Sequence, residues 1–346
     1  MPTETPITLD RAEATLLGGA IGDAMGMPTQ TLTRDEISSH YGTITDFVAP
    51  IEGHPVSHGL VAGSVTDDTE QTLLLAHRII ESPDVFDEHG WAKDLLDWEA
   101  NVKARNLHDL LGPSTKQALE NLLSGMSPDK TGRNGTTNGA SMRIAPVGIA
   151  TPVEPLSQFL KHIETTCRVT HNTREAIAAA AAVAAIISAG VEGADFRDAL
   201  PVAIRAATEA ANKGASKGVD DIAVRLKRVI TLTEGGVTAT ELASQVGTSV
   251  ASHESVITAF GIVMLTESEP WQAALMSATI GDDTDTIGAI ATSMAAACQG
   301  VNSLPSQAIR QVQEINNLEL MPAVKGLLMV RENRAAFTEV VPGVQV

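Results

Sequence analysis

Two short clusters of acidic residues carry the side chains most able to do chemistry in this sequence. The first is Thr66-Asp67-Asp68-Thr69-Glu70 and the second is Gly281-Asp282-Asp283-Thr284-Asp285-Thr286. Each precedes a run of small and apolar residues that predicts a buried helix, and neither contains Lys or Arg. Because burying uncompensated negative charge costs several kcal/mol or more, the clusters predict a bound divalent cation. Mg²⁺ and Mn²⁺ prefer such carboxylate and hydroxyl oxygens.

The spacing within the clusters indicates how their oxygens could be shared between two ions. Asp67 and Asp68 are adjacent at a helix start, so they point in different directions and could serve two metals, or one metal and a water. Asp283 and Asp285 are two positions apart, so in an extended entry segment both would project to one side. With a threonine hydroxyl from each cluster, two facing clusters would form a site with ions roughly 3.5–4 Å apart.

Helix capping is an alternative interpretation of the same residues. Asp67-x-x-Glu70 has the spacing of a capping box in which Asp replaces Ser or Thr, and Asp283 or Asp285 could be a simple N-cap. One such cluster alone favours capping, whereas two similar clusters, each ahead of a small-residue helix, favour a shared metal site.

The segment from Ser127 to Gly139 is the most loop-like part of the chain and is a candidate for binding a ligand. It combines glycines with Thr, Asn, Lys and Arg side chains. Conformationally free glycines beside hydrogen-bond donors suit a loop that wraps a ligand, although a plain surface connection has the same composition. Arg143, shortly after this loop, could meet a phosphate or pair with an acidic residue of the core.

Helical patterns dominate the remaining sequence and predict an all-α fold. The stretch from 29 to 58 reads as a loop, and strand signals are limited to short pieces such as 44–48. Since the two acidic clusters would have to meet, we expect a single domain over residues 1–346. The predicted helices cover residues 10–25, 66–82, 91–105, 114–123, 174–189, 195–212, 218–232, 239–251, 254–266, 269–279, 287–298, 305–317 and 321–339.

Composition and charge exclude several classes of function. The formal net charge is −18 and the isoelectric point about 4.8, which disfavours nucleic-acid or anionic-membrane binding because both need basic patches. The first residues lack the basic and apolar regions of a signal peptide, and the apolar runs 176–189 and 287–298 look too short and too Ala-rich for a membrane span. Cys167 and Cys298 form no Cys-x-x-Cys motif, which favours structural thiols in a reducing cytoplasm.

Five segments, in this order, resemble the ADP-ribosylglycohydrolase family, the type that includes dinitrogenase reductase-activating glycohydrolase and ADP-ribosylarginine hydrolase. They are Gly18–Gly26, Thr66–Thr69, Asn138–Arg143, Thr170-His171 and Gly281–Ile287. The resemblance implies a compact, single-domain helical bundle with a binuclear Mg²⁺ or Mn²⁺ site in a cleft. It also implies hydrolysis of an N- or O-glycosidic bond at the anomeric carbon of ribose.

The same resemblance implies roles for individual residues. The substrate would be a small ribosylated molecule or an ADP-ribosylated protein. Asp68 or Asp283 could orient the attacking water as well as an ion, and would be the catalytic residues. The implied metal ligands are Thr66, Asp67, Asp68, Asp283, Asp285 and Thr286. The implied substrate-binding residues are Gln30, Gly135, Thr136, Asn138, Gly139, Ser141 and His171.

Two positions depart from the family pattern. Relatives that act on proteins usually carry Glu where this chain has Gln30, and an amide cannot accept a proton as a general base. The usual Gly-Gly-Asp is Gly281-Asp282-Asp283 here, and Asp adopts unusual backbone angles less easily than Gly. Gln30 and the scarcity of aromatic residues favour a small-molecule substrate. A non-catalytic ADP-ribose-binding regulatory protein is the alternative.

Overall fold

Helices form nearly all the regular structure of the computed structural model, which describes residues 6–107, 110–218 and 221–339. Besides helices, these ranges contain two isolated β-bridges, Thr137 with Ala251 and Thr173 with Ala215, so the all-α prediction is confirmed. The α-helices are α1 (Ile7–Gly26), α2 (Arg34–Tyr41), α3 (Asp67–Glu81), α4 (Glu88–Ala104), α5 (Pro113–Leu123), α6 (Pro128–Thr131), α7 (Gly139–Met142), α8 (Ala145–Ala150), α9 (Leu156–Arg168), α10 (Arg174–Val191), α11 (Phe196–Ala210), α12 (Ile222–Glu234), α13 (Ala239–Val246), α14 (Ser252–Leu265), α15 (Pro270–Ser277), α16 (Thr284–Gln299), α17 (Ser306–Asn316) and α18 (Met321–Glu339).

Three helices of small and aliphatic residues, α1, α10 and α16, lie at the centre of the core. α16 packs along α1 and against α10, and α11, α14 and α15 cover them. By length and apolar composition alone α10 could cross a membrane, but 89 % of its residues are buried among other helices. This burial is what a core helix shows, and the alanines that line α10 let its neighbours approach closely.

The backbones of α1 and α16 touch because glycines face each other across the contact. A Cβ atom on Gly22 would lie 2.1 Å from the carbonyl oxygen of Gly288, and one on Gly26 would lie 2.2 Å from that of Thr284. No side chain fits at these distances. The glycines therefore hold the first turn of α16, which carries the second acidic cluster, beside the C-terminal end of α1.

Several details of the sequence-based prediction are wrong. The stretch taken as a loop contains α2, and α9 was not predicted. Residues 44–48 form no strand. The single domain over 1–346 stays a prediction, since residues 1–5, 108–109, 219–220 and 340–346 lie outside the described residues.

Candidate functional site

A buried aspartate of α1 holds the first acidic cluster in place. The carboxylate of Asp23 accepts hydrogen bonds from the backbone N–H of Thr66 at 2.9 Å and of Thr69 at 3.1 Å. It also accepts from the two threonine hydroxyls, at 2.8 and 2.5 Å. Burial raises the pKa of Asp23 to about 6, although these hydrogen bonds lower it. Four donors from the N-terminal turn of α3 thus fix that turn against α1.

The two acidic clusters meet, although they lie more than 200 positions apart in the sequence. Thr286 Oγ1 lies 3.5 Å from Asp68 Oδ2, across a separation of 218 positions. Thr66 Oγ1 lies 3.1 Å from the same Asp68 oxygen. Asp285 lies in the first turn of α16, which corrects the expectation of an extended entry segment, yet Asp283 and Asp285 still face the same cleft.

Capping does not account for the carboxylates of these clusters. Thr66 is the N-cap of α3 and accepts from the backbone N–H of Asp68, so Asp67 lies inside the helix rather than at its cap. Glu70 turns away and forms an ion pair with Arg105. The capping-box interpretation of Asp67 is therefore wrong. Of the two N-cap candidates, Asp283 holds the N-cap position of α16 without a side-chain capping bond, and Asp285 lies inside the first turn.

The carboxyl groups of the two clusters lie in an environment that opposes their ionisation. Burial raises the pKa values of Asp67, Asp68 and Asp285 well above the usual range, and the negative charges of the neighbouring aspartates raise them further. Burial also raises the pKa of Asp283 to about 7, partly offset by the hydrogen bond from Asn138. A cation bound among these groups would lower their pKa values again and favour the ionised carboxylates.

The buried Arg143 interacts electrostatically with Asp67 and Asp68 but forms no ion pair with them. The ion pairs formed among the described residues all lie elsewhere. Asp68 is 2 % exposed, and its Oδ1 atom is buried without a hydrogen-bond partner. A buried carboxylate oxygen with no donor is costly, and it has the chemistry of a ligand for a hard cation.

The expected ligands do not yet form a closed cage. Within residues 6–107, 110–218 and 221–339, no three His, Cys, Asp or Glu side chains converge as ligands of one ion would. Two of the six expected ligands are threonine hydroxyls, and the carboxylates repel one another. A cation would therefore have to draw these side chains together.

A cleft opens above the two clusters and encloses about 730 Å³, part of it open to solvent. The acidic side chains Asp67, Asp283 and Asp285 supply the part of its lining that we call the floor, other polar residues adjoin them, and Val, Leu, Pro and Met side chains make up most of the rest. The lining residues are Gln30, Thr31, Val56, Asp67, Leu110, Leu111, Gly112, Pro113, Thr115, Thr137, Asn138, Gly139, Met142, Val250, Asp283, Asp285 and Thr286.

The predicted site residues divide between this cleft and the layer behind it. Those that line the cleft are Gln30, Asp67, Asn138, Gly139, Asp283, Asp285 and Thr286. Those that do not line it are Thr66, Asp68, Gly135, Thr136, Ser141 and His171. Asp68 instead borders a smaller cavity between α1, α3 and α16, and Ser141 is 1 % exposed.

The loop before α7 is fixed to the second cluster through Asn138. The Asn138 Nδ2 group donates to Ser255 Oγ at 2.9 Å and to Asp283 Oδ2. The backbone N–H of Asn138 donates to the carbonyl of Val250 at 2.9 Å. Gly135 packs directly on the backbone of Thr170, where a Cβ would lie 2.0 Å from its carbonyl oxygen. This loop is therefore held in one position beside the carboxylates.

Arg143 is buried beside the first acidic cluster: its charge interacts with Asp67 and Asp68 at longer range, without a direct ion pair, and its predicted contact with a phosphate stays a prediction. It is 1 % exposed, lies over the ring of Trp91 at 5.4 Å, and donates to Gln71 Oε1 and Thr170 Oγ1. Gln71 Nε2 in turn donates to Asp67 Oδ2 at 3.3 Å. Burial lowers the pKa of Arg143 to about 10, so the group stays charged at neutral pH.

The turn before α16 shows how Asp282 occupies a position where the family usually has glycine. Asp282 has φ of +66°, in the left-handed region that favours glycine, and Gly281 has φ of +87°. Asp282 keeps this conformation because two backbone hydrogen bonds hold it: its N–H donates to Leu32 at 2.8 Å, and its carbonyl accepts from Thr31 at 2.7 Å. The departure from the family pattern is therefore accommodated with the turn intact.

Sequence reasoning missed several residues of the cleft. Thr137 lines it but was not among the predicted site residues, although it directly precedes the predicted Asn138. Val56, Leu110 and Thr115 come from segments that carry no catalytic motif. Only the packing of the helices brings these residues to the cleft, so no local pattern could have identified them.

The sequence is similar to those of several known proteins. Residues 4–336 match the family described as ADP-ribosylglycohydrolase. The uncharacterized protein YegU of Escherichia coli (strain K12) is 30 % identical over 334 residues, which cover 94 % of this chain and 99 % of YegU. The ADP-ribosylarginine hydrolase Tri1 of Pseudomonas putida (strain GB-1) is 28 % identical over 324 residues, which cover 88 % of this chain and 74 % of Tri1.

A solved structure has the same fold. The protein described as an ADP-ribosylglycohydrolase-related protein complex superposes with a TM-score of 0.69 at 22 % sequence identity. The match covers 95 % of this chain and 100 % of the other. The arrangement of helices around the cleft is therefore one that has been observed before.

Proposed function

Because this chain belongs to the ADP-ribosylglycohydrolase family, we propose that it is a metal-dependent hydrolase of the glycosidic bond at the anomeric carbon of ribose or ADP-ribose. The observation that carries the proposal is the meeting of two acidic helix starts at the floor of one cleft. Family membership supports the reaction class, and the chemistry of the floor supports the metal.

The proposed metal ligands are the carboxylate and hydroxyl oxygens of both clusters, and the proposed ions are two Mg²⁺ or Mn²⁺. The unpartnered Asp68 Oδ1 and the lack of ion pairs to these carboxylates among the described residues support this choice. When bound, such ions would offset the buried charge, hold ribose hydroxyls and lower the pKa of a water near the anomeric carbon. The six residues are Thr66, Asp67, Asp68, Asp283, Asp285 and Thr286.

The protein's own residues would orient the substrate and accept a proton. Hydrolysis forms a bond between a water oxygen and the anomeric carbon, breaks the bond to the leaving group, and needs a base for the water proton. Asp283 lines the cleft, and its carboxylate is oriented by Asn138, so it is better placed for this role than Asp68, which lies behind the cleft floor. The loop that carries Asn138 and Gly139 would bind the sugar.

A small ribosylated molecule is the substrate that we propose. Gln30 lines the cleft, and its Nε2 group donates to Ser57 Oγ at 3.0 Å, so this position offers an amide rather than a basic carboxylate. The second candidate is an ADP-ribosylated protein, which the likeness to the ADP-ribosylarginine hydrolase Tri1 favours. A non-catalytic ADP-ribose-binding regulator is the third, and the presence of every expected ligand weighs against it.

One assay separates these candidates. The protein is incubated with Mg²⁺ or Mn²⁺ and with ADP-ribosylated proteins, ADP-ribose esters and nucleosides, and mass spectrometry detects the released sugar. Release from the small molecules alone supports our proposal, and release from modified protein supports the second candidate. Binding of ADP-ribose without release from any substrate would contradict the enzymatic function and favour a regulator.

A further inference from the structure

A buried chain of hydrogen bonds runs from Arg143 to the wall of the cleft. Arg143 Nη2 donates to Thr170 Oγ1. His171 Nδ1 lies 2.8 Å from the same Thr170 oxygen, and His171 Nε2 lies 3.0 Å from Thr137 Oγ1. Thr170 and His171 are 0 % exposed, whereas Thr137 is partly exposed and lines the cleft. This series of hydrogen bonds thus connects the buried Arg143 guanidinium with the Thr137 hydroxyl, which a ligand in the cleft can reach.

The chemistry of these groups fixes the direction of the hydrogen bonds. An arginine has only donors, so Thr170 Oγ1 accepts from Arg143. His171 Nδ1 is the one acceptor within hydrogen-bond distance of the Thr170 hydroxyl among the described residues. A buried hydroxyl without an acceptor is costly, so Thr170 donates to Nδ1. The ring is neutral, because burial lowers the pKa of His171 well below its usual value and the Arg143 charge lowers it further.

A neutral imidazole that accepts at Nδ1 carries its proton on Nε2. His171 Nε2 therefore donates to Thr137 Oγ1, which uses a lone pair of that oxygen. The hydrogen of the Thr137 hydroxyl is then left over, and no hydrogen bond among the described residues uses it. The Thr137 hydroxyl therefore keeps one free hydrogen, which can donate toward the cleft, and one further lone pair.

We propose that Thr137 is a substrate-contacting residue whose hydroxyl donates a hydrogen bond to an acceptor oxygen of the ribosyl substrate. Arg143, Thr170 and His171 are positioning residues that set the direction of this bond. The inference rests on the proposed hydrolysis of a ribosyl bond in this cleft. The neighbouring floor of the cleft consists of carboxylates, which accept hydrogen bonds but do not donate them. Oxygens of the substrate, on either a phosphate or the sugar, also accept, so the Thr137 hydroxyl provides a hydrogen-bond donor for them.

The direction of the hydrogen bonds from Arg143 to Thr137 can be tested without any substrate. Nitrogen-15 NMR of the ligand-free protein reports the protonation of both ring nitrogens of His171, and the variant His171→Gln assigns the signals. We expect a neutral ring at pH 7 with its proton on Nε2. A proton on Nδ1, or a doubly protonated ring, would overturn the proposal.

The contact itself is tested by calorimetry with ADP-ribose, using the full-length chain with Mg²⁺. Thr137→Val keeps the shape and removes the donor, so we expect affinity to fall about tenfold, as for one lost hydrogen bond. Thr137→Ser should restore the affinity because it keeps the hydroxyl. The control Thr166→Val removes a buried hydroxyl that bonds only within α9, to Ile163 at 2.9 Å, and should bind ADP-ribose as the wild type does.

ADP, which has both phosphates but lacks the terminal ribose, identifies the acceptor. If Thr137→Val weakens ADP-ribose binding but not ADP binding, the acceptor is on the terminal ribose; if it weakens both and leaves adenosine binding unchanged, the acceptor is a phosphate oxygen. Equal affinity of wild type and Thr137→Val for ADP-ribose would overturn the inference and leave the proposed function standing. A wild-type protein that neither binds ADP-ribose nor releases sugar from any substrate would instead overturn the proposed function and this inference with it.

Discussion

At the scale of single residues, Gln30 is the position on which the choice of substrate depends. Its side chain is 7 % exposed, and its Nε2 group donates to Ser57 Oγ, which in turn donates to the Met27 carbonyl at 2.7 Å. These two hydrogen bonds hold the Gln30 amide in one orientation, with its nitrogen as a donor to Ser57. An amide cannot accept a proton as a general base. A glutamate here could not keep both bonds, because the Ser57 hydrogen would have to choose between two acceptors.

The substitution Gln30→Glu therefore separates the two substrate classes. In a small-molecule hydrolase it adds a carboxylate near Asp67 and Asp283, so we expect slower turnover of the native substrate. In a protein-directed enzyme it supplies a missing base, and release of ADP-ribose from modified protein would rise roughly 10²–10⁴-fold. The measurement is sugar release from both substrates.

A neutral variant controls for the lost Ser57 bond. Gln30→Met removes that bond without adding charge, so it should impair turnover less than Gln30→Glu does. A large gain of activity on modified protein for Gln30→Glu would contradict the small-molecule proposal.

The two acidic clusters could be located from the sequence, whereas the outline of the cleft could not. Asp67 and Asp285 were identifiable because uncompensated acids before apolar helices are unusual, whatever the fold. Thr137 and Thr115 were not, because their place in the cleft depends on how α5 and the loop before α7 pack against α16. The predicted substrate contact of His171 stays a prediction, because this residue does not line the cleft; only the structure shows its place behind the loop, 3.0 Å from Thr137 Oγ1.

At the scale of helices, the contact between α1 and α16 sets the separation of the two clusters. The substitution Gly22→Ala places a Cβ 2.1 Å from the backbone of Gly288, which forces the two helices apart. We expect a loss of about 1–3 kcal/mol in the free energy of unfolding, typical of overpacking, together with weaker metal binding. Chemical denaturation and calorimetry measure the two effects.

The neighbouring glycine gives a matched control. A Cβ on Gly19 meets nothing closer than Ser293, at 3.8 Å, so Gly19→Ala should leave metal affinity unchanged. It should stabilise the protein by up to about 1 kcal/mol through helix propensity. If Gly22→Ala were as stable as Gly19→Ala and bound metal equally well, the close contact would not be what positions the clusters.

Helices with an apolar periodicity were predictable, and short polar ones were not. Within α2 only Ile37 is buried, so no apolar stripe marks it, and its capping box of Thr33 and Glu36 was the one available signal. The helix α10, with its long run of buried small and apolar residues, was predicted, whereas α9 was missed although the sequence does contain the apolar face of Phe159 and Ile163. Which helices touch the cleft could not be derived, because that depends on contacts between distant segments.

At the scale of the whole molecule, the buried acidic groups couple stability to both pH and metal. Without metal, the pKa of Asp23 is raised to about 6 and that of Asp283 to about 7, so the folded state holds protons that the unfolded state releases. These groups therefore lower stability as pH rises from the ordinary carboxyl range through those values. A bound cation replaces the protons and should remove this loss.

The gain in melting temperature from millimolar Mg²⁺ over EDTA should therefore be small near about pH 5 and larger near about pH 8. At a hundredfold excess over Kd the stabilisation is about 2.7 kcal/mol. Scanning calorimetry at matched ionic strength measures it, with Na⁺ as the control cation. Identical melting curves with EDTA and Mg²⁺ at the higher pH would count against a metal centre.

We propose that both clusters, although far apart in sequence, form one metal site that hydrolysis needs. The most direct test is isothermal titration of Mg²⁺ and Mn²⁺ into the wild type, Asp67→Ala and Asp285→Ala, with the exposed Asp97→Ala as control. We predict that each cluster variant stays helical by circular dichroism but loses metal binding and sugar release, while Asp97→Ala keeps both. Undiminished metal binding in Asp67→Ala and Asp285→Ala would contradict the claim.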